Sequence, residues 1–294
     1  FTMQTLLFGE GRRAEVAPFT KGLLKWIGNK QRMAHEIVSY FPIDFGTYFA
    51  PFLGSGAVLA TLQPRRALGS DTFAPVMEIW RTLHDDPAKL KKWYADRFKR
   101  LMGGDKVTEY ERIKAAYNRK PIGADLLFLC GSCYAGVVRF RQADRYMSTP
   151  CGPHKPIPPE SFASRVDEWY RRTKGAKFER LDYRESMSRA VEGDLVYCDP
   201  PYTHSQAILY GAQRFRLYQL FGVIADCKAH GVYVALSIDG TKRSGDHVCD
   251  LPIPDGLFER EVLVNCGRSM LRRLQMGGQT LEGEVVADRL LLTY

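Results

Sequence analysis

Short apolar runs alternate along this chain with longer stretches of helical period, a pattern that predicts an open α/β sheet with helices on both faces. The first helix is expected over Gln31 to Tyr40, ending at Phe41-Pro42. A short strand, TYFA, then enters the loop PFLGSG, Ala57 to Leu62 read as the following helix, and another strand, ALGSD, ends at Asp71. From Ala74 to about Gly175 the character changes to helical segments such as KLKKWYADRFKRLM, followed by a stretch dense in Gly, Pro, Cys and Arg. This predicts an inserted domain over 74–175 between two parts of a core domain, 1–73 and 176–294. The alternation resumes at KFERLDY and continues through DLVYCDPPY. In the helix that follows, Leu217, Leu220, Phe221 and Ile224 fall on one face, and Gly231 suits the cap. GVYVALSID gives a strand, and FEREVLVN and EVVADRLLLTY are two β-rich runs separated by a basic, glycine-containing loop. No internal repeat or low-complexity tract is visible.

Composition narrows the class. With 294 residues, 45% of them hydrophobic and 12% aromatic, the chain can bury the core of one large domain carrying an insertion. It contains no run of about 18 apolar residues and no signal-peptide pattern at its start, so a cytoplasmic location is expected. Seven scattered cysteines suit reduced thiols better than a disulfide framework. A formal charge of +9 and a pI near 9.2 favour a polyanionic partner such as nucleic acid, although a merely solvated basic surface explains the net charge equally well.

Two loops carry candidate chemistry. In PFLGSG, a glycine turn between strand and helix brings backbone N–H groups and a helix end close to a ligand. It lacks both the G-x-G-x-x-G spacing and the P-loop lysine, which disfavours dinucleotide or ATP phosphates, and a tight turn with no ligand is the plain alternative. Asp71, about fifteen residues after Gly56, ends the next strand, where a carboxylate can accept hydrogen bonds from ribose hydroxyls; a nucleoside ligand is the consistent candidate. In VYCDPPY the prolines fix the chain direction and leave their carbonyls as free acceptors. The Asp199 carboxylate and the Pro200 carbonyl can accept the two N–H bonds of an exocyclic amine, while Tyr202 offers a ring for a planar base. The amine lone pair is then free to meet an electrophilic methyl group.

The stretches LKWIGNK, YFAPFLGSGAV, ALGSD, LDYRESM, LVYCDPPY and DRLLLTY, in that order, resemble the Dam-type adenine-N6 DNA methyltransferases, the D12 or α class, over nearly the whole chain. The resemblance implies a Rossmann-like doubly wound sheet with an inserted, mostly helical target-recognition domain carrying a β-hairpin. It implies S-adenosylmethionine over Phe52 and the Gly54, Ser55, Gly56 turn, with Trp26 and Lys30 against it and Lys30 on its carboxylate. Asp71 would hold the ribose, Asp182 and Tyr183 would border the adenine, and Asp199 would sit between cofactor and target base. Read singly, Trp26 is an ordinary buried ring and Lys30 a solvated cation. Two positions depart from the family: Ala50 stands where relatives carry glutamate, and Phe73 where they carry asparagine.

Within the insertion, CYAGVVRFRQADRYMSTPCG resembles the family's DNA-recognition hairpin, with Arg139 at an arginine that can read guanine or grip phosphate and Phe140 at the aromatic position that wedges into the duplex. Arg141, Arg145, Arg268, Arg272 and Arg273 are expected on the DNA backbone, whereas Lys91, Lys92, Lys99 and Arg100 read as a wet helix face. Cys130, Cys133, Cys151 and His154 form C-x2-C and C-x2-H pairs about seventeen residues apart, which a structural zinc could use; the hairpin claims the same residues, so no metal is expected.

The expectation is thus a monomeric, site-specific DNA methyltransferase of a prokaryote or phage. It would move a methyl group from S-adenosylmethionine to adenine N6 in double-stranded DNA with base flipping. The stretch DPPYTHSQAILYGAQRF is also reminiscent of modification enzymes paired with a cognate restriction endonuclease. The rivals are a cytosine-N4 DNA or adenine-N6 RNA methyltransferase, which present the same amino geometry, and a non-catalytic, zinc-stabilised nucleic-acid-binding protein.

Overall fold

A computed structural model describes residues 16–141, 143–201, 217–238, 253–265 and 287–294. Seven strands form one sheet: β1 (Tyr48–Ala50), β2 (Ala67–Ser70), β3 (Ala176–Glu179), β4 (Leu195–Cys198), β5 (Tyr233–Ile238), β6 (Arg260–Asn265) and β7 (Ala287–Leu292). Their order is β3-β2-β1-β4-β5-β7-β6; the first five run parallel, and β7 is antiparallel to both its neighbours. The fold is mixed α/β, as the hydrophobic alternation predicts.

The described helices are α1 (Ala34–Ser39), α2 (Ala57–Leu62), α3 (Ala74–Asp85), α4 (Pro87–Gly103), α5 (Lys106–Arg119), α6 (Gly123–Ser132), α7 (Pro159–Arg172), α8 (Tyr183–Met187) and α9 (Leu217–Ala229). The first begins later than periodicity predicts. The Asn29 side chain accepts from the Gln31 N–H at 2.8 Å and Met33 N–H bonds to the Lys30 carbonyl, so 31–33 form a turn instead of a helical first turn. In α9, Leu220, Phe221, Ile224 and Cys227 are buried, and Gly231 beyond it has φ +72°, the left-handed geometry that stops a helix.

Side-chain alternation divides the strands between two cores. Tyr48, Ala50, Leu195 and Tyr197 face a cluster that includes Trp80, Phe128 and Trp169, whereas Phe49, Val196 and Cys198 face Met187, Phe221 and Ile224. The first cluster runs without a break from the sheet into α3–α7. Within 74–175, α3 packs directly on the sheet: Trp80 lies 6.0 Å from Phe178 between ring centroids, and Arg81 Nε donates to the Phe178 carbonyl. Outside that contact the segment is a helical bundle closed by an antiparallel ribbon between Cys133 and Cys151.

Candidate active site

The sheet order reverses between β1 and β4: β2 and β3 extend to one side of β1, while β4 and β5 extend to the other. At such a switch point two adjacent loops leave the carboxyl ends of neighbouring strands in opposite directions and open a crevice. The loops here are PFLGSG and DPP, brought together because Tyr48 pairs with Leu195 and Phe49 with Val196. A cavity of about 490 Å³ lies there, a size suited to a nucleoside-sized ligand, with walls that include Trp26, Phe52, Asp71, Tyr183 and Asp199.

The glycine turn is shaped from beneath. Gly54 and Gly56 have φ +46° and +67°, and a Cβ on Gly56 would sit 3.1 Å from Trp80 and 3.3 Å from Trp169. Trp80 Nε1 also donates to the Gly54 carbonyl at 2.9 Å. Above the turn, Trp26 approaches Gly54, and Asn29 Oδ1 accepts from Ser55 Oγ at 3.1 Å, tying the first motif to the second. Asp71 spans the same turn, its two oxygens accepting from the Gly54 N–H at 3.2 Å and the Phe73 N–H at 3.0 Å. Burial pushes the Asp71 carboxyl up, while these backbone donors pull it back in part. Phe52 and Tyr183 stack with centroids 5.3 Å apart, and Asp182 caps α8 by accepting from the Arg184 N–H.

Lys30 is buried, with Nζ 3.2 Å from Asp199 Oδ1 and 2.9 Å from Asp288 Oδ2. Burial works against its charge, but the Asp199 and Asp288 carboxylates outweigh that effect and hold its pKa above the ordinary lysine value. Its ammonium faces two carboxylates of the chain itself. Asp288 had been given no role; the signal was a charge inside the apolar run of DRLLLTY. Pro200 is buried and Pro201 lines the cavity, while Tyr202 lies outside the described residues.

In the recognition segment, Arg139 is exposed, its N–H donating to Thr149 Oγ1 at 2.8 Å. Phe140 is the residue expected at the wedging aromatic position. It is buried, with its ring 5.7 Å from Phe73 and 6.3 Å from Tyr117, because the Phe140–Met147 pairing turns it inward and Phe73 supplies an apolar partner. Arg141 pairs with Asp144 and stacks on Tyr146, and Arg145, at φ +57°, lines the cavity. Arg268, Arg272 and Arg273 lie outside the described residues. Lys91 and Lys92 pair with Asp167 and Asp96 at the surface.

Cys133 and Cys151 are cross-strand neighbours, but among the described residues no group of three or more His, Cys, Asp or Glu side chains is placed to hold a metal. Burial pushes the Cys133 thiol up to about 12 and Cys130 well above its usual value, which keeps both protonated near neutrality. No helix among the described residues is long and apolar enough to cross a membrane.

Fold and crevice together define a doubly wound α/β protein with a cavity at its switch point. Comparison with known proteins makes the class specific: the family described as D12 class N6 adenine-specific DNA methyltransferase matches residues 26–245, and the chain belongs to that family. It is 25% identical over 206 residues to a type II methyltransferase of Lactococcus lactis subsp. cremoris, covering 65% of this chain and 67% of that protein. It is 26% identical over 192 residues to a DNA adenine methylase of Serratia marcescens, covering 62% and 67%. A DNA N-6-adenine-methyltransferase of Escherichia phage P1 is 27% identical over 197 residues, which are 63% of this chain but 24% of the phage protein. The activity of the family is methyl transfer to adenine in DNA.

Proposed function

We propose that this chain transfers a methyl group from S-adenosylmethionine to adenine N6 in double-stranded DNA, with the target base flipped out of the duplex. The observation that carries the reading is the juxtaposition of Asp71, the Phe52–Tyr183 stack and Asp199 around one cavity at the switch point. These residues suit the donor: Asp71 for ribose hydroxyls, the stacked rings for an adenine, and the glycine turn for a chain passing close to backbone. When bound, the donor supplies an electrophilic sulfonium methyl.

The protein's own residues then act on the base. The Asp199 carboxylate and the Pro200 carbonyl accept the two N6 hydrogens, which localises the amine lone pair and stabilises the positive charge that grows on nitrogen. Lys30 acts through Asp199, holding its carboxylate in place, with Asp288 as the second anchor. Flipping is required because N6 in a stacked pair cannot meet the methyl in line. Arg139, exposed on the Cys133–Cys151 ribbon, reads a base, and Arg145 serves the backbone near the cavity mouth. A modification role beside a cognate endonuclease is supported by the name of the Lactococcus relative, a type II methyltransferase.

The test is methyl transfer from labelled S-adenosylmethionine to duplex DNA, with product nucleosides separated. Label in N6-methyl-2′-deoxyadenosine supports the proposal. Label confined to N4-methylcytosine, or transfer to RNA alone, sinks it in favour of the corresponding rival.

A further inference from the structure

Cys133 and Cys151 stand opposite each other across an antiparallel bridge at the foot of the recognition ribbon. Tyr134 N–H donates to the Pro150 carbonyl at 2.8 Å and Gly152 N–H to the Ser132 carbonyl at 2.9 Å. Both bonds join the residues flanking the two cysteines, so Cys133 and Cys151 form a non-hydrogen-bonded pair. In such a pair the Cα atoms are about 4.5 Å apart and the side chains are at their closest, on one side of the ribbon. A disulfide needs Cα atoms about 4.4–6.8 Å apart, so the backbone already meets its reach.

The packing agrees. Cys133 is buried in the first core cluster, and Cys151 packs against the same cluster from the other strand. The Phe140–Met147 bridge further along the ribbon has the same hydrogen-bond pattern, and both of its side chains are buried together. The two strands are pressed close at the foot, where a Cβ on Gly152 would lie 2.7 Å from the Cys133 carbonyl oxygen. Lys106 fixes the turn beyond, its ammonium donating to the Gly152, Pro153 and His154 carbonyls at 2.6, 3.0 and 3.0 Å. Access differs among the nearby thiols: Cys151 is half-buried, whereas Cys130 and Cys133 are buried.

We infer that Cys133 and Cys151 are a reversible oxidation site, two free thiols that a small-molecule disulfide such as oxidised glutathione converts into a cross-strand disulfide. Cys151 Sγ, the more accessible, gives its proton to solvent and attacks one glutathione sulfur; the S–S bond breaks, and one glutathione leaves as a thiolate that takes up a proton. Cys133 Sγ then loses its proton and attacks Cys151 Sγ, expelling the second glutathione in the same way. Two protein thiols are oxidised and one glutathione disulfide is reduced to two thiols. The bond ties the two strands between which Arg139 is carried, and it needs neither the methyl donor nor DNA.

The test is incubation of the full chain with oxidised glutathione at mildly alkaline pH, where more of each thiol is the reactive thiolate. Remaining thiols are then alkylated in denaturant and the peptides mapped by mass spectrometry. A Cys133–Cys151 linked peptide that dithiothreitol reverses is expected, and the oxidised protein should unfold about 5 °C above the reduced one. Cys151→Ser should lose both the linkage and the rise in Tm, whereas Cys130→Ser should keep both. The wild-type map decides the point even where a variant folds poorly. No linked peptide after prolonged exposure, linkage of either cysteine to a different one instead, or a linked protein that unfolds below the reduced one would each overturn the assignment.

Discussion

The ammonium of Lys30 lies 3.2 Å from the carboxylate of Asp199, and both belong to motifs at the carboxyl edge of the sheet, with the whole of segment 74–175 between them in sequence. Asp288, on β7, completes the arrangement from the antiparallel side. The residue proposed to grip the target amine is therefore held by a buried cation, and its position depends on three separate stretches of chain.

Removing that cation leaves two carboxylates facing each other with little water. Lys30→Met is expected to destabilise the protein by about 3–5 kcal/mol and to reduce methyl transfer by about a hundredfold or more. Because the folded pKa of Lys30 is raised, the ion pair contributes fully at every pH below the ordinary lysine value of 10.5, and the contribution fades as pH climbs beyond it. Urea unfolding of both proteins at neutral pH and above 10.5 checks this: the gap between them should narrow at the alkaline end.

Asp71 makes an opposite prediction on the acid side. Its carboxyl is pushed up by burial, so the ionised acceptor needed for ribose hydroxyls is lost at a pH above the ordinary aspartate value of 3.8. Affinity for S-adenosylhomocysteine should fall on acidification with a midpoint higher than that value. Asp71→Asn should bind about tenfold more weakly and lose this pH dependence, and a variant that keeps the same acid limb would show that another group titrates.

Phe52 and Tyr183 are predicted to border the donor's adenine. Phe52→Ala should weaken binding of S-adenosylhomocysteine by about 1–3 kcal/mol, the usual worth of stacking a base on an aromatic ring. Calorimetry with adenosine and with S-adenosylhomocysteine should show the same loss for both, since the missing ring contacts the shared base.

Arg139 tests the reading of the ribbon. Arg139→Ala should relax discrimination between cognate and altered sites by about tenfold to a hundredfold at one base position. Competition binding at two salt concentrations decides the point: uniform weakening with a shallower salt slope would make Arg139 a phosphate contact.

Gly56→Ala probes the floor of the turn. The added methyl meets Trp80 and Trp169 at φ +67°, and a loss of about 1–3 kcal/mol is expected from strain and crowding together. Thermal unfolding measures it directly.

The elements differ in how much of each is legible in the sequence. The parallel strands and α9 were legible because their apolar residues repeat with the period of the element they form. The glycine turn and DPP announced themselves through residues that bend the chain in ways others cannot. The burial of Phe140 was not legible, because it depends on Phe73 and Tyr117, which lie beside it only in the folded chain. Asp288 carried only a faint local signal, a charge at the head of an apolar strand, because its contact with Lys30 joins opposite ends of the chain.

The sequence by itself determined the order of strands and helices, the two sharp loops and the family, since all of these depend on residue type and on spacing along the chain. Tertiary structure alone decided which side chains share the cavity, that Lys30 serves Asp199 and Asp288, and that two tryptophans from α3 and α7 brace the glycine turn. Those contacts join residues far apart in sequence, and they exist only because the sheet reverses its order between β1 and β4.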